Sequence, residues 1–73
     1  MSPDKLAYMA NQIGRFFQSQ KTGAAADLIE DHLRKFWDPR MRQEIVTQLA
    51  EGRITLDPPV REAVERLGRK QPA

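Results

Sequence analysis

Apolar residues recur at helical spacing in four segments of the chain. Polar side chains separate the apolar positions within each segment, as expected for helices with one buried face. In chain order, the four apolar stripes are Leu6, Met9, Ile13, Phe16 and Phe17; Ala25, Leu28, Ile29, Leu33 and Phe36; Met41, Ile45 and Leu49; and Val60, Val64 and Leu67. The pattern predicts an all-α fold, a bundle of about four short helices over residues 3–18, 24–37, 39–51 and 58–67, with no strands.

Helix start signals stand in front of three of these stripes. Ser2, Asp38 and Asp57 have side-chain oxygens that cap helices, and each is followed by a proline. Proline fits the first helical position because its fixed φ is helical and its missing N–H is not needed there. These positions therefore predict where the first, third and fourth helices begin.

The remaining boundaries come from glycines and short polar stretches. Gly52 and Gly68 are expected to end the third and fourth helices, and Thr22 is a candidate cap for the second. Ile54 and Leu56 are expected to pin the connector between the last two helices. Residues 1–68 then form a single small helical domain, with 69–73 as a frayed tail.

Composition restricts the chemistry that the chain can perform. It has 73 residues, no cysteine and one histidine, which excludes disulfides, thiolate metal sites and histidine clusters for zinc. His32 lies on the apolar side of its helix, where packing is a more ordinary role than catalysis. We therefore predict that the chain by itself is not an enzyme. We also predict that it has no catalytic, cofactor-binding or metal-binding residues. The N-terminal residues contain no long apolar run, and the expected location is the cytoplasm.

The segment HLRKFWDPRMR, residues 32–42, combines four cations with two aromatic residues. The net charge of the chain is only +2, and Glu30–Arg34 and Asp31–Lys35 are spaced to form ion pairs within one helix. Three interpretations stay open. The segment grips a nucleic acid, as a small helix-turn-helix-like protein would; or Phe36 packs in the core while the cations are merely solvated; or Trp37 and the arginines dock on another protein.

Three stretches together carry a resemblance to a known family. MANQIGRFF (9–17), IEDHLRKFWDPRMRQEI (29–45) and LDPPVREAV (56–64) are similar, in the same order, to the small delta subunit of soluble NAD-dependent formate dehydrogenases. The resemblance implies a cofactor-free accessory subunit that stabilises the large alpha subunit or helps to assemble it. No catalytic residue is implied on this chain.

The resemblance also implies what the host complex contains. Such complexes oxidise formate to carbon dioxide and reduce NAD. Their alpha subunit carries a molybdenum (or tungsten) bis-pterin guanine dinucleotide and iron–sulfur clusters, and their beta and gamma subunits carry FMN and further clusters. With protein partners of this kind, segment 32–42 is predicted to be a helix junction whose outer residues bind the partner. These predicted partner-binding residues are His32, Arg34, Lys35, Trp37, Asp38, Pro39, Arg40 and Arg42. The alternative is the nucleic-acid-binding protein described above.

Overall fold

The computed structural model describes residues 2–19 and 24–70, and these residues form four α-helices. They are α1 (Pro3–Ser19), α2 (Ala25–Phe36), α3 (Pro39–Ala50) and α4 (Pro58–Lys70). The described ranges contain no strand. The prediction of an all-α, four-helix protein is confirmed, and most boundaries agree within one residue. The predicted cap Thr22 lies outside the described residues.

Two of the three predicted caps, Ser2 and Asp38, make a side-chain hydrogen bond to the first turn of their helix. Ser2 Oγ accepts a hydrogen bond from the Lys5 backbone N–H at 3.3 Å, and Asp38 Oδ1 accepts one from the Met41 N–H at 2.8 Å. Each bond satisfies one of the N–H groups that the first turn of a helix leaves without an intrahelical partner. Asp57 precedes α4, and its backbone carbonyl accepts the first helical hydrogen bond.

Of the two glycines expected to end helices, only Gly52 does so. Gly52 has a φ of 72°, and the N–H groups of Gly52 and Arg53 donate to the carbonyls of Leu49 and Gln48, both at 3.0 Å. These two bonds form a Schellman motif, which the absence of a Cβ makes inexpensive.

Gly68 does not end α4, which continues to Lys70, so that prediction is wrong. A Cβ added at Gly68 would lie 2.9 Å from Val46 Cγ1 of α3. Gly68 therefore permits the close approach of two helices rather than a change of backbone direction. As a result, the first two residues of the expected tail are helical, and residues 71–73 lie outside the described ranges.

The core lies where α4 packs against the other three helices. Twelve apolar side chains are buried there: Leu6, Ala7, Ala10, Ile29, Leu33, Trp37, Ile45, Leu56, Val60, Ala63, Val64 and Leu67. α1 and α4 approach each other closely at Gly14, where an added Cβ would clash with Val60 Cγ2. The predicted inner faces of all four helices contribute to this cluster.

The connector between α3 and α4 is fastened to the bundle from two sides. As predicted, Leu56 is buried and Ile54 packs partly against the core. In addition, the Asn11 side chain of α1 donates to the Thr55 carbonyl at 3.3 Å and accepts from the Asp57 N–H at 3.0 Å. One amide thus satisfies two backbone groups of the connector.

Candidate functional site

Segment 32–42 contains the end of α2, a two-residue junction and the start of α3. Pro39 disfavours helical geometry at the preceding residue, and Asp38 is extended, with φ −72° and ψ 164°. Trp37 is extended as well, at φ −88° and ψ 138°, while its N–H still donates to the Leu33 carbonyl. Proline chemistry therefore fixes where α2 ends and how the chain enters α3.

Phe36 is exposed and Trp37 is buried, the reverse of what the sequence predicts for the two residues. The periodicity of α2 assigns Phe36 to the inner face, but its side chain is 72% exposed. The docking interpretation assigns Trp37 to the surface, but Trp37 is 6% exposed and belongs to the core. Both expectations are wrong. The backbone becomes extended at Trp37 and the indole packs in the core, whereas Phe36 is still helical, as the last residue of α2, and its ring lies outside. The indole completes the core, and the surface carries the phenyl ring.

Two of the four cations in the segment pair with carboxylates of their own helix. Arg34 Nη2 lies 3.0 Å from Glu30 Oε2, and Glu30 is buried. Lys35 Nζ lies 3.0 Å from Asp31 Oδ2, and both of these side chains remain largely exposed. The two pairs predicted from spacing are confirmed. Their cations are therefore partly neutralised before any partner arrives.

The other two cations belong to α3 and differ in their surroundings. Arg42 Nη1 donates to the backbone carbonyl of Arg34 at 2.8 Å, so it satisfies an acceptor in the last turn of α2. Its Nε is buried and has no hydrogen-bond partner within the described ranges. Arg40 is exposed, and no ion pair or hydrogen bond joins its side chain to another described residue. Arg42 thus holds the junction together, whereas Arg40 is available to solvent.

Four rings form a continuous row on α1 and α2, which we call the aromatic strip: Phe16, Phe17, His32 and Phe36. The ring centroids are 5.3 Å apart for Phe16–Phe17, 5.9 Å for Phe17–His32 and 4.7 Å for His32–Phe36. These separations are typical of favourable contacts between aromatic rings. Phe17 and His32 are half-buried, whereas Phe16 and Phe36, at the two ends, are 59% and 72% exposed. His32 therefore packs as part of a ring cluster.

A charge network joins α2 to α4 on another part of the surface. Arg66 donates to Asp27 and to Glu62, the latter at 3.1 Å, and its Nη1 lies 3.9 Å from the buried Glu30. The hydrogen bond from Arg66 to Asp27 raises the pKa of the guanidinium, which is already charged at physiological pH. Glu62 and Arg66 lie four residues apart on α4, a spacing that favours such an ion pair. The hydrogen bond from Arg66 to Asp27 joins residues 39 apart in the sequence, so no local sequence pattern predicts it.

The eight predicted partner-binding residues are thus distributed over different roles. Asp38 and Pro39 start α3, and Trp37 packs in the core. Arg34, Lys35 and Arg42 make contacts within the molecule. His32 lies in the aromatic strip, and Arg40 is exposed. The sequence predicts where the α2–α3 junction lies, but it does not predict that Phe36 is the exposed aromatic side chain there.

Metal-binding and membrane-spanning features are absent from the part of the chain that the structure describes. Within residues 2–19 and 24–70, no three His, Asp or Glu side chains come together in a way that could hold a metal ion. No helix in these ranges is both long enough and apolar enough to cross a bilayer. What the described residues do provide is a small helical bundle with exposed aromatic rings.

The chain belongs to the FdsD family, the delta subunit of NADH-dependent formate dehydrogenase. The model of this family matches residues 5–64, a range that includes all of α2 and α3 and most of α1 and α4. Comparison with curated proteins and with solved structures gives no match. The family resemblance predicted from three stretches of sequence is confirmed. A delta subunit of this kind has its protein partners within the formate dehydrogenase complex.

Proposed function

We propose that this chain is a non-catalytic accessory subunit that binds the large alpha subunit of formate dehydrogenase and promotes its stability or its assembly. The observation that carries the proposal is the membership of the delta-subunit family across residues 5–64. The exposed aromatic strip supports it, because aromatic side chains contribute strongly to protein–protein interfaces.

The surroundings of the titratable groups support a role outside catalysis. His32 is flanked by the rings of Phe17 and Phe36, as a packing residue would be. Glu30 is buried beside Arg34 and Arg66, which compensate its charge. A general acid or base needs access to a substrate proton. Neither group combines such access with a neighbouring nucleophile among the described residues.

The pairing of cations favours a protein partner over a nucleic acid. Arg34 and Lys35 are paired with carboxylates, and Arg42 is bonded to a backbone carbonyl. Phosphate binding draws on clustered, available cations and shows a steep dependence on salt. Within the described part of the segment, Arg40 alone is a cation without such an internal contact.

On this proposal the redox cofactors belong to the other subunits. The expected cofactors are the molybdenum or tungsten pterin, the iron–sulfur clusters and FMN, held by the alpha, beta and gamma subunits in a cytoplasmic complex. This chain contains no cysteine, the residue whose thiolates hold iron–sulfur clusters. Its effect on the cofactors would pass through its contact with the alpha subunit.

Binding of this chain would stabilise its partner by mass action. A protein that binds only the folded alpha subunit stabilises it by about 2.7 kcal/mol when present at 100 times its dissociation constant. The same preference would hold the alpha subunit in a form that accepts its molybdenum cofactor. Both routes increase the amount of active enzyme without altering the chemical step.

The test is to express the complex with and without this chain and to measure two quantities on the same sample: molybdenum content and formate-dependent NAD reduction. We expect lower molybdenum occupancy without the chain, and unchanged turnover per bound molybdenum. Supplying the chain from a second plasmid serves as the control and should restore occupancy. Full occupancy combined with a large fall in turnover per molybdenum would contradict the proposal and indicate a direct part in catalysis.

A further inference from the structure

We infer that the aromatic strip, rather than the basic residues of the α2–α3 junction, is the surface by which this chain binds its partner, and that the partner presents an apolar cleft bordered by carboxylates. The inference rests on the proposed function, since it takes the partner to be a protein subunit of the formate dehydrogenase complex. It adds which side chains enter the interface and what they meet there.

The strip differs from an ordinary exposed hydrophobic residue because its rings are contiguous. Tyr8 is 64% exposed, but isolated apolar residues of this kind are normal on protein surfaces. Phe16 and Phe36 are comparably exposed, and the rings of Phe17 and His32 connect them. These contacts position both end rings before binding, which reduces the ordering cost that an interface side chain otherwise incurs.

The charges beside the strip indicate what surrounds the partner's cleft. Arg15, next to Phe16, is the one charged residue between positions 8 and 19, and it makes no ion pair with any described residue. Lys35 precedes Phe36 in the sequence; its side chain is 65% exposed and forms a surface ion pair with Asp31. Each end ring of the strip therefore follows a cation in the sequence, and of these two cations Arg15 is the one without an ion pair to a described residue. Carboxylates on the rim of the partner would complement both ends.

The size of an ordinary interface brings these cations into contact with the partner. A standard interface covers roughly 800 Å² on each protein, and the whole chain exposes 4873 Å². Two phenylalanine rings cannot supply that area, so the interface extends onto their neighbours. A second copy of this chain is a poorer occupant, because a symmetric contact through the strip would bring cations to face cations.

Binding of full-length variants to the formate dehydrogenase complex purified without this chain tests the inference. The double variant Phe16→Ala/Phe36→Ala removes both end rings. Tyr8→Ala is the matched control, since it removes a comparably exposed ring from α1, the helix that carries Phe16. Arg40→Ala tests the basic junction. We expect the double variant to lose affinity by about 30-fold or more, and each control by less than about threefold. Circular dichroism checks that all variants remain helical, and the two single Phe variants are measured as well.

The charge of the rim is tested separately with Arg15→Glu. We expect this variant to associate more slowly than the wild type at low salt, and the difference to disappear as salt is added. Association at the wild-type rate at low salt would contradict the acidic border.

The outcomes separate failure of the inference from failure of the proposed function. Normal binding by the double Phe variant, while Arg40→Ala or Tyr8→Ala binds poorly, would overturn the inference and leave the function standing. A dimer of the free chain that the double variant abolishes would show that a second copy occupies the strip. A wild-type chain that fails to bind the complex would refute the proposed function as well.

Discussion

Replacement of Trp37 by alanine should destabilise the protein far more than the same replacement at the neighbouring Phe36. Trp37 is 6% exposed in the core, whereas Phe36 is 72% exposed. Truncation of a buried Trp costs about 3–5 kcal/mol, through lost apolar burial and the cavity left behind. Surface substitutions generally change stability by less than about 0.5 kcal/mol.

The expected effect of Trp37→Ala is comparable to the whole stability of the domain. A core of this size supplies roughly 3–5 kcal/mol of net stability, so the variant should be largely unfolded in water at 25 °C. Phe36→Ala should lower the urea midpoint far less, because it removes an exposed ring and only its contact with His32. Urea titrations followed by far-ultraviolet circular dichroism measure both variants alike, because Trp37→Ala removes the one tryptophan and with it the fluorescence signal.

Trp37→Phe is the graded control for this comparison. It keeps a smaller aromatic ring in the core, so its stability should lie between that of the wild type and that of Trp37→Ala. A larger fall in the urea midpoint for Phe36→Ala than for Trp37→Ala would refute the buried position of Trp37. That result would restore the placement that helical periodicity predicts, with Phe36 inside and Trp37 outside.

Two further predictions concern the helices that frame the site. Gly14→Ala should lower the free energy of unfolding by about 1–2 kcal/mol, although alanine has the better helix propensity, because the added Cβ would clash with Val60 Cγ2. Adding Val60→Ala should recover the part of this loss that comes from the clash, and a double-mutant cycle measures that part. Asp38→Ala should lower the free energy of unfolding by about 1 kcal/mol, because it loses the hydrogen bond from the Met41 N–H. Asp38→Asn keeps an acceptor and should unfold near the wild-type midpoint. Equal losses of stability in both variants would refute the capping role.

Local chemistry explains why much of the fold is predictable from sequence. Ser2 and Asp38 cap helices through bonds that span three residues, and Gly52 ends a helix through bonds within one turn. Ion pairs four residues apart belong to the same category, as Arg34 and Lys35 show. Each of these features depends on neighbours in sequence, so a single chain contains the information needed to predict it.

The features that could not be predicted depend on contacts between distant segments. Asn11 binds the connector across 44 and 46 residues, and Arg66 reaches Asp27 across 39. The inward turn of Trp37 likewise depends on the space that the other helices leave at the end of α2. Periodicity describes one helix at a time, so it predicted the position of the junction but not which ring the junction exposes.

The hydrogen bonds between Asn11 and the α3–α4 connector have a consequence for how the chain folds during synthesis. Asn11 and Gly14 are translated more than 40 residues before the groups that they contact, which lie in residues 55–60. At translation rates of about 5–20 residues per second, α1 waits roughly 2–9 s for these contacts. Short isolated helices are marginal in water, so α1 is incompletely stabilised during that interval. Docking of α1 onto the connector and onto α4 is therefore a late step, which follows synthesis of residues 55–60.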